Sequence, residues 1–225
     1  MNQSVGATKK RKVFLVDDHP IIRQGLTMLI NRESDLAVCG EAEDALSAMQ
    51  SMTDLSPDIA IIDISLNGPD GLDLLKDIRG RLPYLPVLIL SMHDESIYAE
   101  RALRAGAQGY IMKQEATEKV LVAVRRILND EIYVSERIAN RMLQRYIGTP
   151  DTSRPTSIGD LTDRELEVFR LIGDGHSTRQ IADELHISVK TVESYQAHIK
   201  EKLSLRSARE LVQHAIQWSI AEKTA

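Results

Sequence analysis

The feature that most constrains this fold is a set of short apolar runs, each of which ends in a polar or charged side chain. The runs are VFLV, IAII, VLIL and GYIM, and the groups that follow them are Asp17 with Asp18, Asp63, Ser91 and Lys113. Runs this short and apolar predict parallel strands that are buried on both faces. Because the carboxyl ends of parallel strands meet at one edge of a sheet, these side chains are expected to converge on one site.

Strand and helix patterns alternate five times between residues 12 and 128. The predicted strands are 12–16, 36–40, 59–63, 87–91 and 109–113, and the predicted helices are 20–31, 44–52, 71–79, 97–105 and 117–128. This alternation predicts an α/β fold, a five-stranded doubly wound parallel sheet with helices on both faces. A further amphipathic helix is predicted at 135–147.

The rest of the chain predicts a separate domain. Residues 148–159 are rich in Gly, Pro, Ser and Thr, which is typical of a flexible linker. Four short helices follow, two of them begun by capping boxes, and the second and third are joined by a tight turn, which indicates a smaller all-α helix-turn-helix domain. The predicted organisation is 1–11 as a disordered lead-in, 12–130 as the α/β domain, 131–159 as a helix and linker, and 160–225 as the helix-turn-helix domain.

Composition excludes several classes of protein. Cys39 is the only cysteine, which permits no internal disulfide or zinc cluster and suits a reducing cytosol. The sequence contains no apolar run of membrane-spanning length and no signal sequence, so we expect a cytoplasmic protein without a membrane partner. The formal net charge is −5, yet residues 190–209 hold five basic and two acidic residues, a net +3. Attraction to nucleic-acid phosphates should therefore be weak for a monomer and stronger for a dimer.

The chemistry of the predicted site follows from its three carboxylates. Anions cannot share a site unless a cation compensates their charge, and carboxylate oxygens suit Mg²⁺, so Asp17, Asp18 and Asp63 are predicted to bind magnesium. Asp63 is then free to attack a phosphoryl group, while Lys113 neutralises its oxygens and Ser91 hydrogen-bonds to one of them. The alternative is that the aspartates are solvated strand-end caps, which five matched residues at four strand ends argue against.

The first 130 residues or so resemble the receiver domain of two-component response regulators. The whole chain resembles the NarL/FixJ family, in which a flavodoxin-like receiver precedes a LuxR-type helix-turn-helix. The resemblance implies that Asp63 is the phosphoacceptor, that Asp17 and Asp18 are the acidic pair, and that Ser65 adds its backbone carbonyl to the metal shell. It further implies a switch hydroxyl, a switch aromatic, an invariant lysine and a turn glycine, which are Ser91, Tyr110, Lys113 and Gly71.

Two receiver positions depart from the family pattern, and the role of a third is open. Asn67 replaces a common proline, so the loop after the phosphoacceptor is expected to differ in shape. Gln114 replaces a proline after the lysine, which removes the reason for the usual cis peptide. His93 lies where the family tunes the lifetime of the phosphoryl group, and the alternative of an exposed loop histidine without a role stays open.

Residues 161–218 resemble LuxR-type modules through the segments LTDRELEVFRLI, STRQIADELHIS and VKTVESYQAHIKEKL. The resemblance implies base contacts from Glu193, Ser194 and Ala197 and phosphate contacts from Lys190, Lys200 and Lys202. Glu193 replaces a common basic residue, and it either accepts a hydrogen bond from cytosine or only weakens non-specific binding. The last helix resembles a dimerisation helix through Leu211, Val212, Ala215 and Trp218, which would otherwise pack on their own domain.

Together these patterns predict a transcription regulator rather than an enzyme. A sensor histidine kinase would phosphorylate Asp63, Ser91 and then Tyr110 would move inward, and a homodimer would bind a double-stranded DNA operator. A haloacid-dehalogenase-type phosphohydrolase needs a second aspartate two residues after its nucleophile, whereas the first strand here gives Asp-Asp-His. A DNA-binding protein that does not depend on phosphorylation is the second alternative, and the presence of every expected site residue argues against it.

Overall fold

The computed structural model describes residues 10–66, 71–147 and 158–224, and the chain divides into two compact units between residues 144 and 145. Most of the predicted lead-in, the predicted linker residues 148–157 and the loop position Asn67 lie outside the described residues. Among the described residues, every helix is too short or too polar to cross a membrane.

The first unit is built on five parallel strands in the order β2-β1-β3-β4-β5. The strands are β1 (Arg11–Val16), β2 (Leu36–Ala42), β3 (Ile59–Ile62), β4 (Val87–Ser91) and β5 (Gly109–Met112). The helices between and after them are α1 (Pro20–Asn31), α2 (Ala45–Leu55), α3 (Gly71–Arg81), α4 (Glu95–Arg104) and α5 (Ala116–Ile127). The predicted doubly wound parallel sheet is therefore confirmed, with β1 and β3 as neighbours at its centre.

Local chemistry sets the ends of these elements. All residues of β3 and β4 are buried, as expected for strands covered on both faces. Helix α4 begins two residues earlier than predicted, because the carboxylate of Asp94 accepts a hydrogen bond from Ser96 N at 2.6 Å. Helix α2 is capped in the same way by Asp44 and extends three residues beyond its predicted end, to Leu55.

The chain that follows α5 is attached to the edge of the sheet. Tyr133 forms a parallel bridge with Gly109, and its N–H donates to the carbonyl of Gln108 at 2.8 Å. The carbonyl of Tyr133 accepts from the N–H of Tyr110 at 2.9 Å. Helix α6 (Glu136–Ile147) begins shortly afterwards, so this segment covers the edge of β5 that the sheet would otherwise expose.

After residue 160, the described part of the second unit contains four α-helices, α7 (Asp163–Gly173), α8 (Thr178–Glu184), α9 (Val189–Lys202) and α10 (Ala208–Thr224). Both predicted capping boxes are present, at the starts of α7 and α8. Between α8 and α9 the backbone of His186 adopts φ +53°, which closes the short turn. The predicted all-α helix-turn-helix arrangement is therefore confirmed.

One ion-pair cluster at the surface of the first unit gives a pH prediction. Arg125 on α5 donates to both carboxylate oxygens of Asp35, and this hydrogen-bonded partner lowers the pKa of Asp35 to about 2. The pair stabilises the fold fully above the unfolded pKa, near 4, and its contribution is lost as the pH falls towards about 2. Because both side chains are more than a third exposed, Arg125→Gln is expected to lower the free energy of unfolding by less than about 1 kcal/mol. Denaturation of both proteins across that pH range measures the difference, which should vanish at the acid end.

Candidate functional site

The polar groups that follow β1 and β3 lie together at the carboxyl edge of the sheet. Asp63 is 1% exposed and Asp17 is 3% exposed. One ligand atom from each of Asp17, Asp18, His19 and Asp63 lies within 4.8 Å of the other three. The convergence expected from the apolar runs is thus seen in the structure, and it follows from the parallel pairing of β1 with β3.

Lys113, from the end of β5, lies between two of the carboxylates. Its Nζ is 2.7 Å from Asp63 Oδ2 and 2.7 Å from Asp17 Oδ2, and its side chain is 4% exposed. Burial raises the pKa of Asp63, although the hydrogen bond from Lys113 acts in the opposite direction. One buried ammonium therefore faces two buried carboxylates, which leaves uncompensated negative charge at the site.

The remaining oxygens fit a divalent cation. Asp17 Oδ2 and Asp18 Oδ1 are buried and lack a hydrogen bond of good geometry, although Lys113 and His19 lie at ion-pair distance from them. The single ammonium of Lys113 does not balance three carboxylates, so a further cation at these oxygens would be favourable. An all-oxygen donor set is the one that Mg²⁺ prefers. Asp17, Asp18 and Asp63 bring such carboxylate oxygens together here.

The loop that carries the acidic pair is fixed by neighbours that the sequence patterns did not single out. The N–H of His19 donates to Asp17 Oδ1 at 2.8 Å, and the Arg23 guanidinium donates to the carbonyl of Asp17. The Nε atom of Arg23 in turn lies 3.6 Å from Oε2 of Glu41 on β2. From the sequence, these contacts could be suspected only because Arg23 lies one turn into the predicted α1, close to the acidic pair.

His93 connects the loop after β4 to the rest of the site. Its N–H donates to the buried hydroxyl of Ser91 at 3.1 Å, its Nε2 lies 2.9 Å from Ser65 Oγ, and its ring stacks on Tyr98 with centroids 4.5 Å apart. An exposed histidine without contacts is therefore not what the structure contains. An effect of His93 on the phosphoryl lifetime stays a prediction.

Tyr110 is already in an inward position. It is 1% exposed, and its hydroxyl donates to the carbonyl of His93 at 2.7 Å. The expected inward movement of Tyr110 on phosphorylation is thus not needed from this state.

The peptide bond after Lys113 is trans, in agreement with the absence of proline at Gln114.

Gly71 is required because the backbone of Asp63 passes directly against it. A Cβ at this position would lie 2.1 Å from the carbonyl oxygen of Asp63 and 2.8 Å from Ile64 Cα. The N–H of Gly71 also donates to the carbonyl of Ile64 at 2.8 Å. The start of α3 therefore clamps the backbone at Asp63 and Ile64.

Gly71→Ala is expected to destabilise the protein by roughly 1–3 kcal/mol and to displace Asp63, because the clash is with backbone and not with a flexible side chain. Urea denaturation and the rate of phosphorylation by acetyl phosphate measure the two effects. Gly80→Ala, in the same helix, is the matched control, since no heavy atom lies within 4 Å of its Cβ position. Equal behaviour of the two variants would contradict the clamp.

Helix α9 presents an exposed face in the second unit. Val192 and Ile199 are buried against the domain, and Ser188 caps the helix by accepting from Thr191 N at 3.0 Å. The exposed residues include four of those predicted to contact DNA, which are Lys190, Glu193, Ser194 and Ala197. The structure thus places a polar helix face at the surface, with the buried side anchored to α7 and α8.

Lys202 has a partner within its own domain. Its Nζ is 2.7 Å from Glu165 Oε2, and Glu165 is only 4% exposed. Glu165 also closes the capping box of α7 by accepting from Thr162 N, and these hydrogen bonds from Lys202 and Thr162 lower its pKa despite burial. The predicted phosphate contact is therefore a residue that already holds α9 against α7.

Helix α10 packs on its own domain with most of the face that was predicted for dimerisation. Leu211 and Ala215 are buried within the domain, and the ring of Trp218 lies 5.5 Å from that of Phe169. Of the predicted set, only Val212 is exposed, at 42%. It forms an outward apolar stripe with Ile216 and Ile220, which are also exposed.

Comparisons with known proteins agree with this architecture. Residues 13–125 match the response regulator receiver domain, and residues 160–215 match the luxR family of bacterial regulatory proteins. The oxygen regulatory protein NreC of Staphylococcus aureus is 36% identical over 94% of this chain and 99% of its own length. The NreC protein of Staphylococcus epidermidis is 35% identical with the same coverage.

Two solved structures extend the comparison. RcsB from Salmonella enterica serovar Typhimurium, bound to the rprA promoter in the presence of the phosphomimetic BeF₃⁻, is 25% identical, with a TM-score of 0.70 over 92% of this chain and 98% of that chain. A LuxR-family two-component response regulator from Aurantimonas sp. is 34% identical, with a TM-score of 0.57 over 62% of this chain and all of that chain. The acidic edge of the sheet, the capped helix-turn-helix and these relatives all agree. The chain therefore belongs to the NarL/FixJ family of two-component response regulators.

Proposed function

We propose that this response regulator is cytoplasmic and that phosphorylation of Asp63, with magnesium as cofactor, controls its dimerisation and its sequence-specific binding to DNA. The observation that carries the proposal is the buried arrangement of Asp63, Asp17 and Lys113, with 2.7 Å between Lys113 Nζ and each carboxylate. A structural role alone would not require three charged groups inside the protein, because apolar residues would be at least as stable there.

Each residue of the site has a role in phosphoryl transfer. One Asp63 oxygen attacks phosphorus while the bond from phosphorus to the donor histidine nitrogen of a sensor kinase breaks, so that a phosphoaspartate and a neutral imidazole result. Bound Mg²⁺ would supply positive charge to the phosphoryl oxygens. Lys113, which now contacts Asp63, would pair with an oxygen of the new group, and the buried hydroxyl of Ser91 would donate a hydrogen bond to another.

A groove beside the site supports docking of a kinase helix. It has a volume of about 390 Å³, lies between α1 and α5, and reaches Lys113. Ile21 and Met28 on α1 border it and are 83% and 69% exposed, so apolar surface is available next to the phosphoacceptor. An amphipathic kinase helix in this groove would bring its phosphohistidine towards Asp63.

The exposed face of α9 is the proposed DNA-reading surface. Lys190 and Lys200 would contact phosphates, and Glu193, Ser194 and Ala197 would face base edges in the major groove. The roles of Glu193 and of Lys202 stay predictions, since Lys202 would have to share its ammonium with Glu165. Two copies that associate through α10 would double the modest positive charge of this region.

Val212→Asp and Ile216→Asp are expected to weaken operator binding by about tenfold or more, because each places a charge in the apolar stripe that would join two copies. Both side chains are substantially exposed, so the domain should fold. Gln213→Asp is the matched control, with the same added charge on an exposed neighbouring position. Gel-shift titration with sedimentation analysis measures affinity and dimerisation, and wild-type behaviour of the stripe variants would exclude α10 as the interface.

Selection of DNA from a random pool, with and without acetyl phosphate and Mg²⁺, tests the proposed function as a whole. We expect one enriched operator, more strongly enriched in the phosphorylated sample. Enrichment that is equal in both samples would favour a regulator that does not use phosphorylation. Lack of any enriched sequence would remove the DNA-binding part of the proposal.

A further inference from the structure

Helix α6 is attached to the first turn of α4 through polar contacts centred on Glu95. The Glu95 side chain is buried, and its Oε1 accepts from Ser135 Oγ at 2.8 Å and from Arg137 Nε at 3.1 Å. One turn further along α6, Arg141 Nη1 donates to the carbonyl of Ser96 at 2.7 Å. Three residues at the start of α6 therefore bind one turn of α4.

These contacts determine where α6 begins. Ser135 Oγ, which donates to Glu95, also accepts from the N–H of Ile138 and so caps the helix. Ile138 is 3% exposed, so the apolar side of this first turn is buried as well. A buried carboxylate is stable only with such hydrogen-bond partners. Burial of the Glu95 side chain therefore depends on α6 being docked.

The same turn of α4 is also connected to the phosphoacceptor. Ser65 N donates to Asp63 Oδ1, and Ser65 Oγ is 2.9 Å from His93 Nε2. Asp94, the N-cap of α4, follows His93 directly, and Glu95 is the first helical residue. The path from Asp63 to Glu95 therefore consists of two side-chain contacts and two peptide bonds.

A second connection runs through β5. The hydroxyl of Tyr110 donates to the carbonyl of His93, and the N–H of Tyr110 donates to the carbonyl of Tyr133. Tyr133 lies two residues before Ser135, at the start of the segment that leads into α6. The leading end of α6 is thus attached both to α4 and to β5, the strand that Lys113 directly follows.

We infer that Glu95 couples the phosphoacceptor site to the docking of α6, the helix that leads along the chain into residues 148–157 and then the DNA-binding unit. The inference rests on the proposed function, in which Asp63 is phosphorylated. A phosphoryl group on Asp63 changes the contacts of Ser65, Ser91 and His93, which moves the start of α4 and with it the Glu95 carboxylate. Because such coupling is reciprocal, undocking of α6 must in turn alter the affinity of the site for a phosphoryl analogue.

Hydrogen exchange measured by mass spectrometry on the full chain tests the coupling. Peptides that cover α6 are compared with and without beryllofluoride and Mg²⁺, in the wild type, Glu95→Gln and Arg137→Gln. We expect beryllofluoride to change the exchange of α6 in the wild type. Both substitutions should speed the exchange of α6 by about tenfold without beryllofluoride and remove its beryllofluoride dependence, because a charge-assisted contact is lost. Arg137 is well exposed, so its variant should fold even if Glu95→Gln does not.

Arg104→Ala is the matched control, since it removes an ion pair with Glu100 at the exposed end of α4, the helix that begins with Glu95. Its α6 should exchange as in the wild type. ¹⁹F NMR of the beryllofluoride adduct separates the two ways of failure. An adduct at Asp63 without any change in α6 would overturn the coupling alone, whereas the lack of an adduct would overturn the proposed phosphorylation and the coupling with it.

Discussion

Asp63→Asn is expected to abolish phosphorylation and, at the same time, to make the protein more stable at neutral pH. The first effect follows because an amide oxygen is not a nucleophile towards phosphorus. The second follows from the buried site, where one ammonium faces two carboxylates. Removal of one carboxylate leaves Lys113 and Asp17 as a balanced pair, which should add about 1–2 kcal/mol to the free energy of unfolding.

The pKa of Asp63 gives this gain a pH dependence. Burial raises that pKa in the folded protein, so folding favours the protonated carboxyl group. The wild type therefore loses stability as the pH rises from the unfolded pKa, about 4, through the higher folded pKa. The asparagine variant lacks this loss, and the difference in stability between the two proteins should grow over the same window and disappear in acid.

Urea denaturation between acid and neutral pH, in the absence of Mg²⁺, measures the stability difference, and incorporation of radiolabelled acetyl phosphate measures phosphorylation. Asp77→Asn is the control, because Asp77 is an exposed aspartate on α3. It should be labelled as the wild type is and show no gain in stability. Undiminished labelling of Asp63→Asn would identify another side chain as the acceptor, and a less stable variant would contradict the charge argument.

The sheet and the convergence of Asp17, Asp63 and Lys113 could be predicted because two simple rules apply to them. Strands covered on both faces must be apolar, and parallel strands end at the same edge, so each apolar run in the sequence also locates the group that follows it. Neither rule depends on contacts between distant parts of the chain.

The packing of α10 could not be predicted in the same way. Leu211, Ala215 and Trp218 recur at helical spacing, but so do Val212, Ile216 and Ile220, which lie about 100° further round the helix. Periodicity shows two apolar stripes and does not say which one packs on the domain. The choice is made by α7, where Gly173 lies so close to α10 that a Cβ there would be 2.5 Å from the Ala215 carbonyl.

The polar connections around the site were also beyond sequence patterns. Glu95 and Arg137 are 42 residues apart, and each is unremarkable on its own helix. The ion pair of Glu165 with Lys202 spans 37 residues in the same way. Such pairs depend on the distance between two packed helices, which no local pattern contains.

Lys113→Ala is expected to destabilise the protein by about 3–5 kcal/mol when Mg²⁺ is absent, which would be the largest loss of stability among these variants. The substitution leaves Asp17 and Asp63 buried and facing each other without the ammonium that now lies 2.7 Å from both. The loss should be smaller in acid, because burial favours the protonated form of Asp63 in the folded protein. Mg²⁺ should stabilise the variant more than the wild type, because the cation would replace the missing positive charge.

Thermal unfolding with and without Mg²⁺ measures these effects, and two further variants make the result specific to the site. Lys119→Ala removes an exposed ion pair with Glu115 and should cost less than about 1 kcal/mol, with no dependence on Mg²⁺. Adding Asp63→Asn to Lys113→Ala should restore much of the lost stability, because the like-charge contact is removed together with its counterion. If the double variant is as unstable as Lys113→Ala alone, the cost comes from lost packing of the lysine side chain, and the three charged groups do not act as one electrostatic unit.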